Sequence, residues 1–499
     1  MKKYIKYFLF ITMISSFSGC DDYLDVNTPS DAVPLDNLSM KDILGPTLFN
    51  TIYGYYYAEL SLCNYTQYYA GYGTAPVVES FNSSTWSNIY TKVLPNIENL
   101  KEKAIAQDAP HFLAVAKIIT AMNLSFAVDN WDNVPYTQAG KPFEFPAPKF
   151  DDGEVVYNDM ITLLDEAISA LSGASNPKFN LESGDLVYKG DVSKWIRLAY
   201  TFKARMQLHM IKNGGVTASD VLSSINNGFT SNSDNFILTY PEGELNPYYA
   251  TNVQARATSN YFRAPNDQLV SMLNGTTYPF ESGAVEVDPR LPAMFVKEIG
   301  VDVPAPDTDP WRGFLNGGTG QSSDGEAANT YYKDGGYYTK ASAPLEVLTY
   351  AEAMFIKAEA AFLANGGTTT SAGATSEAYN AYLAGIEGSM EQIGVDGADY
   401  LVDTAVAVGE GGLMLNHIMK EKYIANIHNT ETWNDFRRYN FSADVFKGLE
   451  LRLEEDNSDD EFAGEWIRRV SYPTSELDAN FDEVKANEKS PITPIWWAE

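Results

Sequence analysis

The sequence predicts a large, mostly α-helical protein with a stretch of loops and short strands packed on the helices. Three observations lead there. Apolar residues recur at 3.6-residue spacing over several stretches of helical length. Capping residues and Gly stops bracket those stretches. Between residues 214 and 345 the periodicity gives way to Gly, Pro, Ser, Asn and Tyr.

The elements follow in chain order. Residues 20–40 are polar and Pro-containing, and read as a tether and N-terminal wrap. A helix is expected near 41–70, its end Tyr65-Thr66-Gln67-Tyr68-Tyr69-Ala70-Gly71-Tyr72 running into a Gly-rich loop. In 110–128, Phe112, Val115, Ile119, Met122 and Phe126 form one stripe, and Pro110 suits a first helical turn. In 152–171, Val156, Met160, Leu163, Leu164, Ala167 and Leu171 share a face behind Asp151 and Asp152 as caps. In 191–212, Trp195, Ala199, Phe202, Met206 and His209 line a stripe capped by Asp191. In 349–364, Ala351, Met354, Phe355, Ala358, Ala361 and Phe362 form another. There Thr349 and Glu352 predict a capping box, and Asn365-Gly366-Gly367 a stop. Further helices are expected near 376–393 and 412–427. The helices succeed one another in pairs, although the regular 34-residue consensus of the tetratricopeptide repeat is absent. The expected organisation is a helical region 41–213, a loop-rich binding subdomain 214–345 and a helical region 346–499.

Composition excludes several classes of function. The chain of 499 residues carries 66 Asp and Glu against 35 Lys and Arg, a net charge of -31. Nucleic-acid binding needs a basic footprint, and direct adsorption to anionic lipid headgroups needs one too. A neutral ligand such as a carbohydrate feels no long-range repulsion. The 32 Tyr fit that reading, because a Tyr offers an apolar face and a hydrogen-bonding tip.

The N-terminus reads as a secretory signal, residues 1–19. Lys2, Lys3 and Lys6 form a basic start, and the apolar run Tyr7 to Phe17 is too short to span a bilayer. Phe17-Ser18-Gly19-Cys20 resembles a bacterial lipobox, which implies lipidation at Cys20. Asp21 and Asp22 resemble the export signal that sends lipoproteins of Bacteroidetes to the cell surface. A lipid tail is worth ~0.8 kcal/mol per buried CH₂, so such an anchor would hold the protein on the membrane. Cys63 is the only other Cys and reads as a small buried apolar residue.

Several segments resemble the SusD/RagB family, and more closely its SusD-like subgroup. The start Cys20-Asp21-Asp22-Tyr23-Leu24-Asp25-Val26-Asn27 is similar to the family's segment after the lipobox. Trp86-Ser87-Asn88-Ile89-Tyr90 is similar to its early helix motif. Asp129-Asn130-Trp131-Asp132-Asn133-Val134-Pro135-Tyr136 resembles D-x-[YW]-G-D-[VI]-P-Y, with Asp132 at the Gly place and Asn133 at the Asp place. Asp288-Pro289-Arg290-Leu291 matches D-P-R-L, and Thr349-Tyr350-Ala351-Glu352 with Ala358-Glu359-Ala360 matches T-Y-A-E…A-E-A. The C-terminal third adds Glu421-Lys422-Tyr423-Ile424, Trp433-Asn434-Asp435-Phe436-Arg437-Arg438, Arg468-Arg469-Val470-Ser471-Tyr472-Pro473 and Ile495-Trp496-Trp497. The resemblance implies a mostly α SusD-like fold, with tetratricopeptide-like helix pairs plus a loop-rich subdomain with short strands, and a lid-like partnership with a SusC-like TonB-dependent transporter in the outer membrane. Catalysis is not expected of it.

The motif residues have a structural reading first. Trp433, Asp435, Arg437 and Arg438 suit a buried ion-pair and stacking cluster, and Asp288 with Arg290 another. Trp86 and Trp131 sit on or beside helices and suit a core, with Trp86 kept as a ligand candidate. The other candidates are aromatic and polar residues in loops: Trp311, Arg312, Asn316, Tyr331 and Tyr332 in the Gly-rich insertion 303–340, Tyr72 in its Gly-flanked loop, and Tyr248 after a Pro. An aromatic plane covers the C–H face of a sugar ring, while amides and charged groups bond its hydroxyls. No cofactor or metal is expected. The four His are scattered, and Asp456 to Glu461 lacks the spacing of an EF-hand. Neither a GxSxG, an HExxH nor a P-loop occurs. The expected function is a cell-surface lipoprotein that captures oligosaccharide for the transporter. The alternatives are a peptide-binding or structural subunit of such a transporter, as in the RagB branch, and a surface glycoside hydrolase.

Overall fold

Helix α1, Met40–Thr66, is the longest helix described in the computed structural model. The structure describes residues 37–71, 80–240, 243–258, 260, 263–316, 320–451, 462 and 464–499. The expected signal peptide, Cys20, Asp21, Asp22, Tyr72 and the acidic run Asp456 to Glu461 lie outside the described residues.

Strand β1 (Tyr69–Gly71) follows α1, and then come helices α2 (Leu94–Ala106) and α3 (Pro110–Trp131). Strands β2 (Val134–Pro135) and β3 (Phe150–Asp151) lead into α4 (Gly153–Leu171) and α5 (Val192–Met210). Next are α6 (Ala218–Ile225), β4 (Phe236–Leu238), β5 (Arg263–Pro265) and α7 (Asp267–Leu273). Strands β6 (Phe295–Gly300), β7 (Val303–Pro304), β8 (Thr330–Tyr332) and β9 (Leu345–Leu348) lie in the loop-rich stretch. Helices α8 (Tyr350–Ala364), α9 (Ser376–Ile393), α10 (Leu415–Ala425) and α11 (Glu431–Arg438) complete the scaffold. Consecutive helices pack on one another: α2 on α3, α3 on α4, α4 on α5, α8 on α9.

The local signals explain the boundaries, with two corrections. Pro110 opens α3, and Asp191 caps α5 by accepting from Ser193 N at 3.0 Å. Of the expected pair of caps, only Asp152 caps α4, accepting from Glu154 N at 3.0 Å. Asp151 instead accepts from Tyr136 N and Thr137 N at 2.9 and 2.8 Å and ties β2 to β3. The capping box at α8 is half made. Thr349 Oγ1 accepts from Glu352 N at 3.2 Å, but the Glu352 carboxylate turns to Arg205, because a buried charge gains more from an opposite charge than from a backbone amide.

Helix α3 is apolar and long enough to cross a membrane, yet it is almost wholly buried inside the protein. It ends at Asp132, whose φ of 74° is a left-handed conformation that side chains rarely adopt. Its carboxylate accepts from Trp496 N at 3.0 Å and pairs with Arg469 at 3.2 Å, which holds the turn.

The family-like motifs converge into two buried polar networks. Arg205 on α5 grips Glu352 on α8, and His209 meets Glu431 on α11 at 2.6 Å. Arg438 pairs with Glu359 at 2.7 Å and also with Asp435, which Lys422 reaches at 2.8 Å. Arg437 is stacked on Trp433 at 3.7 Å and on Trp497 at 4.9 Å. Arg290 bonds Asp288 and Glu421, both at 2.6 Å. The structural reading of these residues therefore describes what they do. Burial opposes charge on His209, but Glu431 and Asp129 outweigh it and raise its pKa to about 9.

Residues 214–345 are rich in loops and hold most of the short strands. Ala264, Phe314 and Ala328 form a small apolar cluster with Ala70. Phe236, Leu269, Met272, Leu291 and Phe295 belong to the same apolar cluster as Leu44, Phe112, Trp195 and Phe355.

Candidate functional site: a polar cleft at the end of helix α1

The loop-rich stretch is pinned to the C-terminal end of α1. Gln67 ends the helix with φ of 55°, a left-handed cap that turns the chain into β1. Strand β1 pairs antiparallel with β5, Tyr69 opposite Pro265. Asn266 then caps α7, its Oδ1 accepting from Gln268 N at 2.9 Å. The insertion joins the same edge, as Phe314 N donates to Pro265 O at 2.9 Å and Asp267 N to Phe314 O at 2.8 Å. Gly313 permits this approach, since a Cβ there would sit 2.5 Å from Asp267 Cα.

These turns enclose a cleft of about 180 Å³. Gln67, Asn266, Gln268 and Asn316 supply amides, Ser271, Thr276 and Thr277 supply hydroxyls, and Glu450 and Leu451 close one side. A smaller recess, sharing Gln67, Asn316 and Leu451, continues toward Tyr65 and Trp466. Trp466 is half-buried and stacks flat on Phe441, centroids 4.5 Å apart.

Most of the lining is already bonded inside the protein. Gln67 Nε2 donates to Glu450 O and Gln268 Nε2 to Lys447 O at 3.2 Å. The Asp267 carboxylate accepts from Ser322 and Ser271 hydroxyls at 2.8 and 3.3 Å. Asn316 is the exception. Its Nδ2 donates to Asn64 O at 3.3 Å, while its Oδ1 is buried without a partner among the described residues. A buried acceptor left unbonded costs about 1–3 kcal/mol.

The candidates read from sequence separate into groups. Asn316 lies in the cleft. Trp311 does not line it; the ring is half-buried against the core with Lys297 Nζ 5.6 Å from its centroid. Arg312 is paired with Asp324 at 2.6 Å and holds that carboxyl below the usual range. Tyr331 lies under the Arg256 guanidinium at 3.8 Å and packs edge-on against Phe314. Tyr248 and Tyr332 come together, but in the interior: both are buried and flank His428 at 4.2 and 5.4 Å. The expectation that they stand as exposed platforms is corrected, because His428 stacks against both rings. Trp86 is also buried. It donates from Nε1 to Glu476 at 3.2 Å and packs edge-on against Trp131. Cys63 is buried, and burial pushes its thiol up to about 12.

Gln67, Asn266 and Gln268 were not singled out from the sequence. The only local signal was the polar break Thr66-Gln67 inside a Tyr-rich run. A wider recess of about 410 Å³ lies between Phe81, Tyr472 and Lys489. Its buried Arg469 is satisfied by Thr493 O at 2.9 Å and by Pro494 O and Asp132. Among the described residues no group of His, Cys, Asp and Glu is placed to hold a metal ion.

A SusD-like family model, described as starch-binding associating with outer membrane, matches residues 42–473. A SusD homologue from Bacteroides uniformis has the same fold, with a TM-score of 0.68 at 21% identity over 92% of this chain and 99% of that one. A chitin-binding SusD homologue from Flavobacterium johnsoniae gives 0.69 at 20% identity, over 92% of this chain and 98% of that one. A SusD/RagB family protein from Bacteroides thetaiotaomicron gives 0.67 at 21% identity, over 92% and 99%. No curated protein matches. At these identities the solved structures show the fold alone.

Proposed function

The chain belongs to the SusD-like family, and from that premise we propose that it is a cell-surface glycan-binding lipoprotein that captures an oligosaccharide in the cleft around Asn316. It then passes the ligand to a SusC-like TonB-dependent transporter. The amides and hydroxyls that line the cleft around Asn316 carry the reading, because such groups suit a polyhydroxylated ligand. The family description and the chitin-binding relative support a saccharide as that ligand. Cys20 is the proposed lipid attachment point, facing the protein outward from the outer membrane.

The lining supports binding rather than hydrolysis. A glycosidase needs two opposed carboxyl groups free to act on one bond. Asp267 is committed to two serine hydroxyls and serves as a strut.

Affinity electrophoresis tests this. Residues 21–499 run through gels containing soluble starch or glycol chitin should be retarded by at least one of them, and Asn316→Ala should migrate faster. Retention of peptides with neither polysaccharide slowing the protein would favour the transporter-subunit alternative. Release of reducing ends would establish the hydrolase.

A further inference from the structure

The recess that continues the Asn316 cleft is small and has aromatic walls. Tyr65, Trp433, Phe441 and Trp466 line it, and its volume is about 20 Å³. Contacts within the chain fix those walls. Tyr65, on the last turn of α1, packs on Trp433 with ring centroids 5.3 Å apart. Trp433 Nε1 donates to Ile467 O at 3.1 Å, and the Arg437 guanidinium lies 3.7 Å from the Trp433 ring centroid. Trp466 lies flat on Phe441, with planes 7° apart. Tyr65, Trp433 and Phe441 are buried, whereas Trp466 is half-buried and reaches the surface.

The lining shared with the cleft is polar. Gln67 and Asn316 border both spaces, and Asn64 borders the recess. Asn64 is half-buried rather than sealed. Among the described residues its side chain has one polar contact, the Cys63 thiol at 4.0 Å from Oδ1, and no hydrogen bond to a nitrogen or an oxygen. Gln67 gives its Nε2 to Glu450 O. Size and lining together select the group that fits. A space of about 20 Å³ admits one group the size of a water or a methyl, not a sugar ring. A water needs about two to four polar partners, and four ring walls favour an apolar group instead. A methyl gains dispersion contacts with those rings. A methyl carried on an amide suits the carboxamides as well, because a carboxamide both donates and accepts.

We propose that the recess is an acetamido subsite, which makes oligosaccharides of N-acetylhexosamine the class of ligand that the cleft prefers. The sugar ring stays in the cleft, and the acetyl methyl enters between the aromatic walls. The acetamide N–H donates to Gln67 Oε1, and its C=O accepts from Asn64 Nδ2. A 6-deoxy sugar carries a methyl without the amide and leaves the Asn64 carboxamide unmatched. A sugar with a hydroxyl in that place either leaves the recess unfilled or presses a polar group against the rings. The inference deepens the glycan-binding reading and rests on it.

Calorimetric titration with chitotriose, cellotriose and maltotriose tests the inference. Chitotriose and cellotriose share a β-1,4 backbone and differ in the acetamido group, which is a hydroxyl in cellotriose. Cellotriose is a cleaner comparison than a glucosamine oligomer, whose cationic amines the net charge of -31 would attract. The wild type should bind chitotriose about tenfold more tightly than cellotriose, or better, as a methyl in an apolar pocket allows. Trp466→Ala, which opens the recess, and Asn64→Ala, which removes the carboxamide, should each bring the ratio of the two affinities toward one. Cellotriose bound as tightly as chitotriose, or a ratio unchanged in both variants, would overturn the inference and leave the glycan-binding reading standing. Binding of maltotriose alone would do the same. No binding of any of the three would overturn the inference, and gel retardation by the polysaccharides then decides the broader reading.

Discussion

Arg205 and Glu352 form a two-pronged bond, Nε to Oε1 at 2.7 Å and Nη2 to Oε2 at 2.6 Å, that joins α5 to α8 with both side chains almost fully buried. The two residues are far apart in sequence, so the bond fastens the N-terminal helix pairs to the C-terminal ones. Removing one partner leaves a charge in the interior. Glu352→Gln is therefore expected to lower the unfolding free energy by about 3–5 kcal/mol. The double variant Arg205→Met with Glu352→Leu should lose less than Glu352→Gln alone, as read from urea midpoints. Equal or greater loss in the double variant would show that the pair contributes more than mutual neutralisation.

His209 gives the network a pH dependence. Its pKa is raised from 6.5 to about 9 in the folded chain. The folded state thus holds the proton more tightly than the unfolded state. The resulting stability, about 3 kcal/mol, is complete below pH 6.5 and is lost as pH rises toward 9. Urea unfolding at pH 6.5 and 9.5 should show this fall in the wild type and a flatter profile in His209→Gln. Glu346, pushed up to about 7 by burial, acts with the same sign between pH 4.5 and 7.

Asp132 stands where the family pattern has Gly, and its φ of 74° is the reason Gly suits the place. Asp132→Gly relieves the backbone but strips the bond to Trp496 N and the pairing with Arg469. The expected result is a net loss of about 1–3 kcal/mol in thermal or urea unfolding. A gain would mean that the backbone cost is the larger of the two.

The helical scaffold was legible because its signals are local. Pro110, Asp152, Asp191 and Thr349 mark helix starts, and the stripe Phe112 to Phe126 has one period throughout. The short segments Asp267–Leu273 and Glu431–Arg438 carry too few turns to show a period, and α11 is polar on nearly every face because its partners are charges on other helices. The site was less legible. Tyr248 and Tyr332 look like loop aromatics until His428, far along the chain, fills the space between them. Gln67, Asn266 and Gln268 became neighbours only through the pairing of β1 with β5. Asn316 was found by proximity to Trp311, although the two side chains face different surroundings.

That separation supplies the most direct test of the central claim. The affinity of the purified protein for an oligosaccharide that it retains should be measured for Asn316→Ala and Trp311→Ala side by side. The account predicts that Asn316→Ala weakens binding about tenfold, while Trp311→Ala lowers stability and leaves affinity near that of the wild type. Loss of binding in Trp311→Ala with none in Asn316→Ala would contradict it and move the site to the surface of the insertion.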